Sequence, residues 1–481
     1  MTARRGAQYI DGLKDDRVVY LGSRRVDVTT EPAFAGSIRG MAGYFDWQHD
    51  HASDCLVKDL DTGTPMSASL IVPRNADDLQ ARHRCFERLA EYSRGMLGRT
   101  PDYCNASLSG QVARADIWHR GDPQRFSNVQ SFHRQVIEGD LALTHTLVNP
   151  SIDRSAGDLA GVNRDLALRV VQRGEHGITV RGGKLLATLG PFADEIFVYP
   201  AAPLPTGQED FAVSFAIPVG TPGVIQLARD HYGVDNSIAD SPFSSRFDEQ
   251  DSFVIFDDVE VPWERVFIDG DLAVYNTITP AVFPGCVAQQ TAIRALVKLK
   301  FAYDLCVQMA KIQNAESNPD VARMLGELYG YIALTRSTIV AAEARAYDWG
   351  AGAFFPHADL AILRTFMPEW MMRVSEIIEL IGSHHLLTTP SSGLFDDPTV
   401  APLLDAFLPS ADGRTARERA QVFRTAWDFN GSALGSRVKL YERYYLASRN
   451  RNLAADHLFG QASQRWSELD EFVNSSRKSG T

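Results

Sequence analysis

No stretch of this 481-residue chain is continuously apolar over the roughly 20 residues that a membrane-spanning helix needs. The N-terminus, Met1 to Gly6, is basic but has no apolar stretch behind it, so no secretory leader is expected. Positive charge is in deficit: 48 Lys and Arg against 60 Asp and Glu leave a net charge of −12. That balance argues against nucleic acid or an anionic membrane as a partner. Cysteine is scarce too. The five present (Cys55, Cys85, Cys104, Cys286, Cys306) are odd in number, widely spaced, and form neither CxxC nor a Cys/His cluster. Free thiols in a reducing, cytoplasmic setting fit that usage better than a disulfide framework.

Chemical signatures are missing as well. No GxGxxG follows a strand and no GxxxxGK[ST] occurs, so neither a Rossmann nor a P-loop nucleotide site is supported. No HExxH and no carboxylate–His cluster marks a metal, and no GxSxG elbow carries a nucleophilic serine. His49 and His51 stand beside Asp50 and Asp54, but further ligands are lacking at useful spacing; a solvated loop is the better reading. These absences leave room for an organic cofactor held in some other kind of fold.

What the chain does have is a β-rich middle between helical flanks. Leu168–Arg173, His176–Arg181, Gly183–Leu189, Glu195–Tyr199, Phe211–Ile217, Val224–Ala228 and Phe253–Val261 are short apolar runs bounded by Gly and Pro, as strands are. Gly182-Gly183 is among the expected turns. In front, Arg17 to Gly22 suggests a hairpin strand. Asn75 to Met96 predicts a capped helix with Leu79, His83, Phe86 and Leu89 on one face. Gly98 ends it, Thr100 is forced out of helical geometry by Pro101, and a new helix starts near Asp102. Arg99 and Tyr103 flank that corner. Taken alone, the corner suggests Arg99 as a C-terminal cap and Tyr103 as packing before it suggests a site. His145, among apolar residues, likewise has a plain reading as a satisfied core histidine. Gln124 to Asp140 is another predicted helix. Behind the strands, Ala288–Gln313, Val321–Trp349, His357–Ile381 and Thr415–Tyr445 predict an up-down bundle, followed by a more polar helix over Asn452–Val473.

Several of these stretches carry a resemblance. Gly183 to Thr188 followed by Ala193-Asp194-Glu195 looks like the flavin-facing strand of the acyl-CoA dehydrogenase fold, and Phe256 to Phe267 like the strand that closes its β-domain. Ser244 to Asp251, with Arg99-Thr100-Pro101-Asp102-Tyr103, resembles the oxygenase component of 4-hydroxyphenylacetate 3-hydroxylase and its relatives. The resemblance runs from about Tyr9 to about Asn452. It implies an α+β, acyl-CoA dehydrogenase-like architecture: an N-terminal helical domain (1–146), a central β-barrel-like domain (147–270) and a C-terminal four-helix bundle with a tail (271–481). It also implies a homotetramer.

The chemistry implied is a two-component one. A separate NAD(P)H:flavin reductase supplies reduced flavin, as FADH2 or its FMN counterpart. Reaction with O2 gives a C4a-hydroperoxide, and a phenol attacks it ortho to its hydroxyl. The resemblance reverses the plain readings above and puts Arg99, Tyr103 and His145 around the phenol oxygen, where a cation and hydrogen-bonding groups favour developing negative charge. It assigns flavin contacts to Ser151, Ile152, Asp153, Arg154 and Thr188. Pyrophosphate contacts fall on Ser448, Arg449, Asn450 and Arg451, although many members have Gly-Asp-Pro-x-Arg there and only Arg451 keeps the pattern.

A second departure bears on the substrate. The 4-hydroxyphenylacetate enzymes offer a Ser-Thr pair to the substrate carboxylate where this chain has Ala201 and Ala202, which cannot donate side-chain hydrogen bonds; one residue, Gly190, is also extra. A neutral phenol, or a larger tyrosine-derived or carrier-tethered aromatic, is therefore expected in place of 4-hydroxyphenylacetate. The alternative, an acyl-CoA dehydrogenase-like flavoenzyme, needs a catalytic Glu that no bundle carboxylate suggests. A 4-hydroxybutyryl-CoA dehydratase needs a cluster-binding cysteine set that these five do not supply. An inactive flavin-binding relative would not need Arg99, Tyr103 and His145 together.

Overall fold

A computed structural model of the chain describes residues 3–150, 166–200, 202–233, 237–447, 449–463 and 467–478. Its front comprises α1 (Gly6–Gly12), the hairpin β1 (Val18–Leu21) and β2 (Arg24–Val26), α2 (Ala35–Asp50), α3 (Ala52–Cys55), a second hairpin β3 (Leu56–Lys58) and β4 (Pro65–Ser67), then α4 (Ala76–Tyr92), α5 (Pro101–Val112), α6 (Ala115–Trp118) and α7 (Pro123–Gly139). Local chemistry sets these ends. Asn75 accepts the Asp78 amide at 2.9 Å and caps α4, and Leu79, Phe86 and Leu89 lie on its buried face. Thr100 is extended before Pro101, so α4 and α5 meet at a corner.

The middle supplies β5 (Leu143–Thr146), β6 (Arg169–Arg173), β7 (Gly177–Thr188), β8 (Glu195–Val198), β9 (Val213–Pro218), β10 (Val224–Ala228), β11 (Asp251–Pro262) and β12 (Val266–Asp269). Together with the first hairpin they form one mixed sheet of order β12-β9-β8-β5-β7-β11-β10-β1-β2, with β6 also paired to β7. The sheet curls onto itself. Phe215 of β9 and Phe256 of β11, four places apart in strand order, touch edge to face at 5.8 Å inside a core of Val180, Ile196, Ile217, Val254 and Val259. β5 lies at its centre, between β8 and β7, and brings His145 there.

One expected turn is absent. Gly182-Gly183 does not separate two strands; β7 runs straight through it. Gly182 takes φ +127°, and a Cβ there would meet the Ala167 carbonyl oxygen at 2.4 Å. The glycine is a kink that lets β7 pass close to Ala167.

The helical back holds α8 (Leu272–Val282), α9 (Ala288–Ile312), α10 (Pro319–Ala344), α11 (Leu363–Gly382), α12 (His385–Thr388), α13 (Ala401–Phe407), α14 (Ala416–Asn430), α15 (Ala433–Tyr444), α16 (Arg449–Ser463) and α17 (Glu468–Lys478). The helix expected over Thr415–Tyr445 is two: it breaks at Gly431, and Ser432 recaps α15 by accepting the Gly435 amide at 3.0 Å. The expected last helix is likewise divided, into α16 and α17. None of the described helices is long and apolar enough to cross a membrane.

Candidate active site

Arg99, Tyr103 and His145 converge, though 46 positions separate the first from the last. The α4–α5 corner puts Arg99 just before Pro101 and Tyr103 one turn later, and β5 delivers His145 from the sheet. The Arg99 guanidinium carbon lies 3.8 Å from the Tyr103 ring centroid, and that ring is 5.1 Å from the His145 ring. His145 stacks in turn on Tyr199 at 5.3 Å. All four side chains are buried. From the back, Tyr441 and Tyr445 of the α15 end stack on each other at 4.5 Å and face the same guanidinium at 5.1 and 5.3 Å. Gly98 permits the approach, since a Cβ there would stand 2.5 Å from Tyr441 Cζ.

Arg99 is 7% exposed, yet no carboxylate among the described residues pairs with its guanidinium. Its Nη1 donates to Tyr441 Oη at 2.6 Å and, at 3.5 Å, to the Gly98 carbonyl. Burial works against its charge, but its electrostatic interaction with Tyr103, Tyr441, Tyr199 and Tyr445 outweighs that and raises its pKa, so it is a permanent cation. A buried charge without a counterion is costly unless a ligand completes it.

The neighbours are neutral. Burial, then Arg99, hold His145 well below the usual imidazole range, so the ring is uncharged at neutral pH. Its Nδ1 faces the Cys104 sulfur at 3.7 Å, and burial pushes that thiol up to about 12. Nε2 is the ring nitrogen left for a ligand. Burial, then Tyr103 and Cys104, push Tyr199 well above the usual phenol range, which keeps its hydroxyl protonated. Two hydroxyls, one neutral imidazole and one guanidinium therefore come together in a set suited to an anionic oxygen on an aromatic ring.

Thr188, at the end of β7, gives its hydroxyl proton to Asp251 at 2.8 Å, leaving the Thr188 oxygen as an acceptor toward any cofactor. Two residues earlier the β7–β11 register slips: Leu185 and Leu186 together oppose Phe253. This bulge turns both leucines outward, 50% and 43% exposed, beside the exposed Val148. Lys184 is buried there and donates to the Asn149 side chain at 2.8 Å and the Leu147 carbonyl at 3.2 Å. Such an apolar platform edged by polar groups fits a flat heteroaromatic ring. At the start of α16, Arg449 pairs with Glu369 at 3.1 Å, while Asn450 and Arg451 are exposed. Two arginines at a helix N-terminus fit a pyrophosphate. Ser151, Ile152, Asp153, Arg154, Ala201 and Ser448 lie outside the described residues.

The loop after β8 is pinned. Asn276 of α8 accepts from the Leu204 amide at 2.8 Å and donates to its carbonyl at 2.9 Å, and Thr279 donates to the Pro200 carbonyl at 3.0 Å. Ala202, half-buried, sits in this anchored stretch. Sequence reasoning missed Tyr199, Tyr441 and Tyr445 as wall residues. Their contact with Arg99 and His145 depends on chain pairings up to 346 residues apart, which no local spacing reveals.

A helical front, a curled mixed sheet and a helical back make the acyl-CoA dehydrogenase-like fold, and one buried cation and several aromatic rings meet where the three parts join. Residues 5–268 match the family model described as 4-hydroxyphenylacetate 3-hydroxylase N terminal, and residues 283–474 match the corresponding C-terminal model. The 4-hydroxyphenylacetate 3-monooxygenase oxygenase component of Thermus thermophilus is 35% identical over 92% of both chains. A Streptomyces globisporus enzyme named (3S)-3-amino-3-(3-chloro-4-hydroxyphenyl)propanoyl-[peptidyl-carrier protein SgcC2] monooxygenase is 31% identical over 98% of this chain and 89% of its own. A crystal structure of such an oxygenase component with FAD and 4-hydroxyphenylacetate superposes with a TM-score of 0.91 at 32% identity, covering 99% of each chain. The chain belongs to the 4-hydroxyphenylacetate 3-hydroxylase family, the oxygenase components of two-component flavin-dependent monooxygenases.

Proposed function

We propose that this protein uses reduced FAD, delivered by a separate NAD(P)H:flavin reductase, to hydroxylate a phenol ortho to its hydroxyl group. The observation that carries the reading is the buried Arg99 guanidinium with no carboxylate partner among the described residues, walled by Tyr103, His145 and Tyr199. A phenolate oxygen would complete it. Reduced FAD, when bound, supplies the two electrons with which O2 delivers one oxygen atom to the ring and the other to water.

The residues then divide the work. Arg99 holds the phenol oxygen as it becomes anionic, which makes the ring carbon beside it more nucleophilic. His145 Nε2 serves the hydroxyl as a hydrogen-bond partner, and burial beside Arg99 favours sharing that proton over full transfer to the ring. Tyr103 orients the ring, and the closed aromatic wall excludes water. Leu185, Leu186 and Thr188, with Ser151, Ile152, Asp153 and Arg154, hold the flavin ring; Ser448, Arg449, Asn450 and Arg451 hold its pyrophosphate. FMN lacks the group those last residues would bind, so FAD is the preferred form.

Ala201 and Ala202 favour a neutral phenol or a larger tyrosine-derived or carrier-tethered aromatic over 4-hydroxyphenylacetate; the carrier-bound group in the name of the Streptomyces relative supports that direction. A homotetramer is part of the same reading. So are the division into 1–146, 147–270 and 271–481, with the front lending β5 and the first hairpin to the central sheet, and a cytoplasmic location. Product analysis with reduced FAD, O2 and a panel of phenols tests it, the dihydroxy product being the expected result.

A further inference from the structure

The Ser244–Asp251 stretch stands out in the sequence but has no role in the chemistry above, and Arg437 of α15 matches none of the assigned residues. The structure joins them. Glu249, 1% exposed, accepts the Gly98 amide on Oε1 at 2.6 Å and the Arg99 amide on the same oxygen. Its other oxygen takes Arg437 Nη1 at 2.7 Å. Two residues on, Asp251 receives Arg437 Nε at 2.8 Å and Nη2 at 2.5 Å, while its Oδ1 also accepts the Thr188 hydroxyl. One turn along α15 from Arg437, Tyr441 stacks on the same guanidinium at 5.2 Å and holds Arg99 Nη1.

Arg437 therefore reaches Arg99 twice, through Glu249 to its backbone and through Tyr441 to its side chain, and reaches Thr188 once, through Asp251. We propose that Arg437, with Glu249 and Asp251, is a positioning bracket that fixes the phenol-binding Arg99 and the cofactor-facing Thr188 in one frame. A buried carboxylate and a partly buried one two residues apart repel each other, and a planar guanidinium with donors on two edges can hold both at fixed angles, with Arg229 adding a second contact to Asp251 at 2.9 Å. Lysine carries the charge but not the fork. The consequence for turnover rests on the function proposed above; the bracket itself does not.

The test compares wild type with Arg437→Lys and Glu249→Gln, two changes that keep approximate volume. Hydrogen–deuterium exchange on the protein without ligand reads the bracket directly. The peptide covering residues 96–104 should exchange about tenfold faster in both variants, the scale of one lost hydrogen bond to a charged group. Peptides from α9 to α11 should be unchanged. Turnover with reduced FAD and a phenol accepted by the wild type should show the fraction of flavin oxidation that yields product falling about tenfold, with flavin oxidation itself preserved. Unchanged exchange at 96–104, or equal loosening throughout the bundle, would overturn the bracket. Faster exchange at 96–104 with wild-type coupling would overturn its role in turnover. A wild type that hydroxylates no phenol would defeat the functional reading and leave the exchange result to stand by itself.

Discussion

The Arg99 guanidinium carbon lies 3.8 Å from the Tyr103 ring centroid, closer than to either Tyr441 or Tyr445. The cation is thus held against the side chain that would meet a substrate ring, and its energetic value lies in charge that develops during reaction. Arg99→Ala should lower hydroxylation about a hundredfold or more, roughly 3 kcal/mol, as for a lost oxyanion donor. Flavin oxidation should continue with H2O2 in place of product. Peroxide and product quantified together check this; retained product yield would remove Arg99 from the role.

His145→Ala should cost a comparable factor, and the double change with Arg99→Ala should cost less than the sum, because both groups act on one oxygen. Since burial holds the imidazole neutral well below its ordinary range, the wild-type kcat/KM profile should show no acid limb at the usual histidine pKa. A limb there, absent from His145→Asn, would contradict the assignment.

Lys184 makes a stability prediction. Burial lowers its pKa from 10.5 to about 7. Between those values the unfolded chain binds a proton that the folded chain lacks, so stability rises with pH across that window and the penalty is greatest below about pH 7. Lys184→Met should lose that slope. Denaturant midpoints of both proteins at about pH 7 and about pH 9 measure it; identical pH dependence would show that the ammonium is solvated.

Ala201→Ser with Ala202→Thr should improve 4-hydroxyphenylacetate use, since two hydrogen bonds to a carboxylate contribute at most about 1.5–3 kcal/mol each. Asn276 anchors the loop at Leu204, so the gain should appear in KM before kcat. Equal KM values would detach this loop from substrate choice.

The elements that local chemistry dictates were legible in the sequence. Pro101 after Thr100 predicts the α4–α5 corner, Asn75 predicts the α4 cap, and the apolar runs predict strands. Gly182 misled because a kink and a turn use the same residue, and what decides between them is the close approach of Ala167, just before β6. Gly431 broke a helix that periodicity alone would carry through. Arg99, Tyr103 and His145 were recognisable through family motifs, but their aromatic wall and the Glu249–Arg437–Asp251 bracket come from tertiary pairings with no local signal.

The most direct measurement mixes the protein with pre-reduced FAD, labelled O2 and a panel of neutral and acidic phenols, without NADH or reductase. The account predicts an ortho-dihydroxy product carrying one labelled oxygen, formed from a neutral or larger phenol in preference to 4-hydroxyphenylacetate. Absence of product from every phenol, or NADH oxidation by the protein unaided, would contradict it.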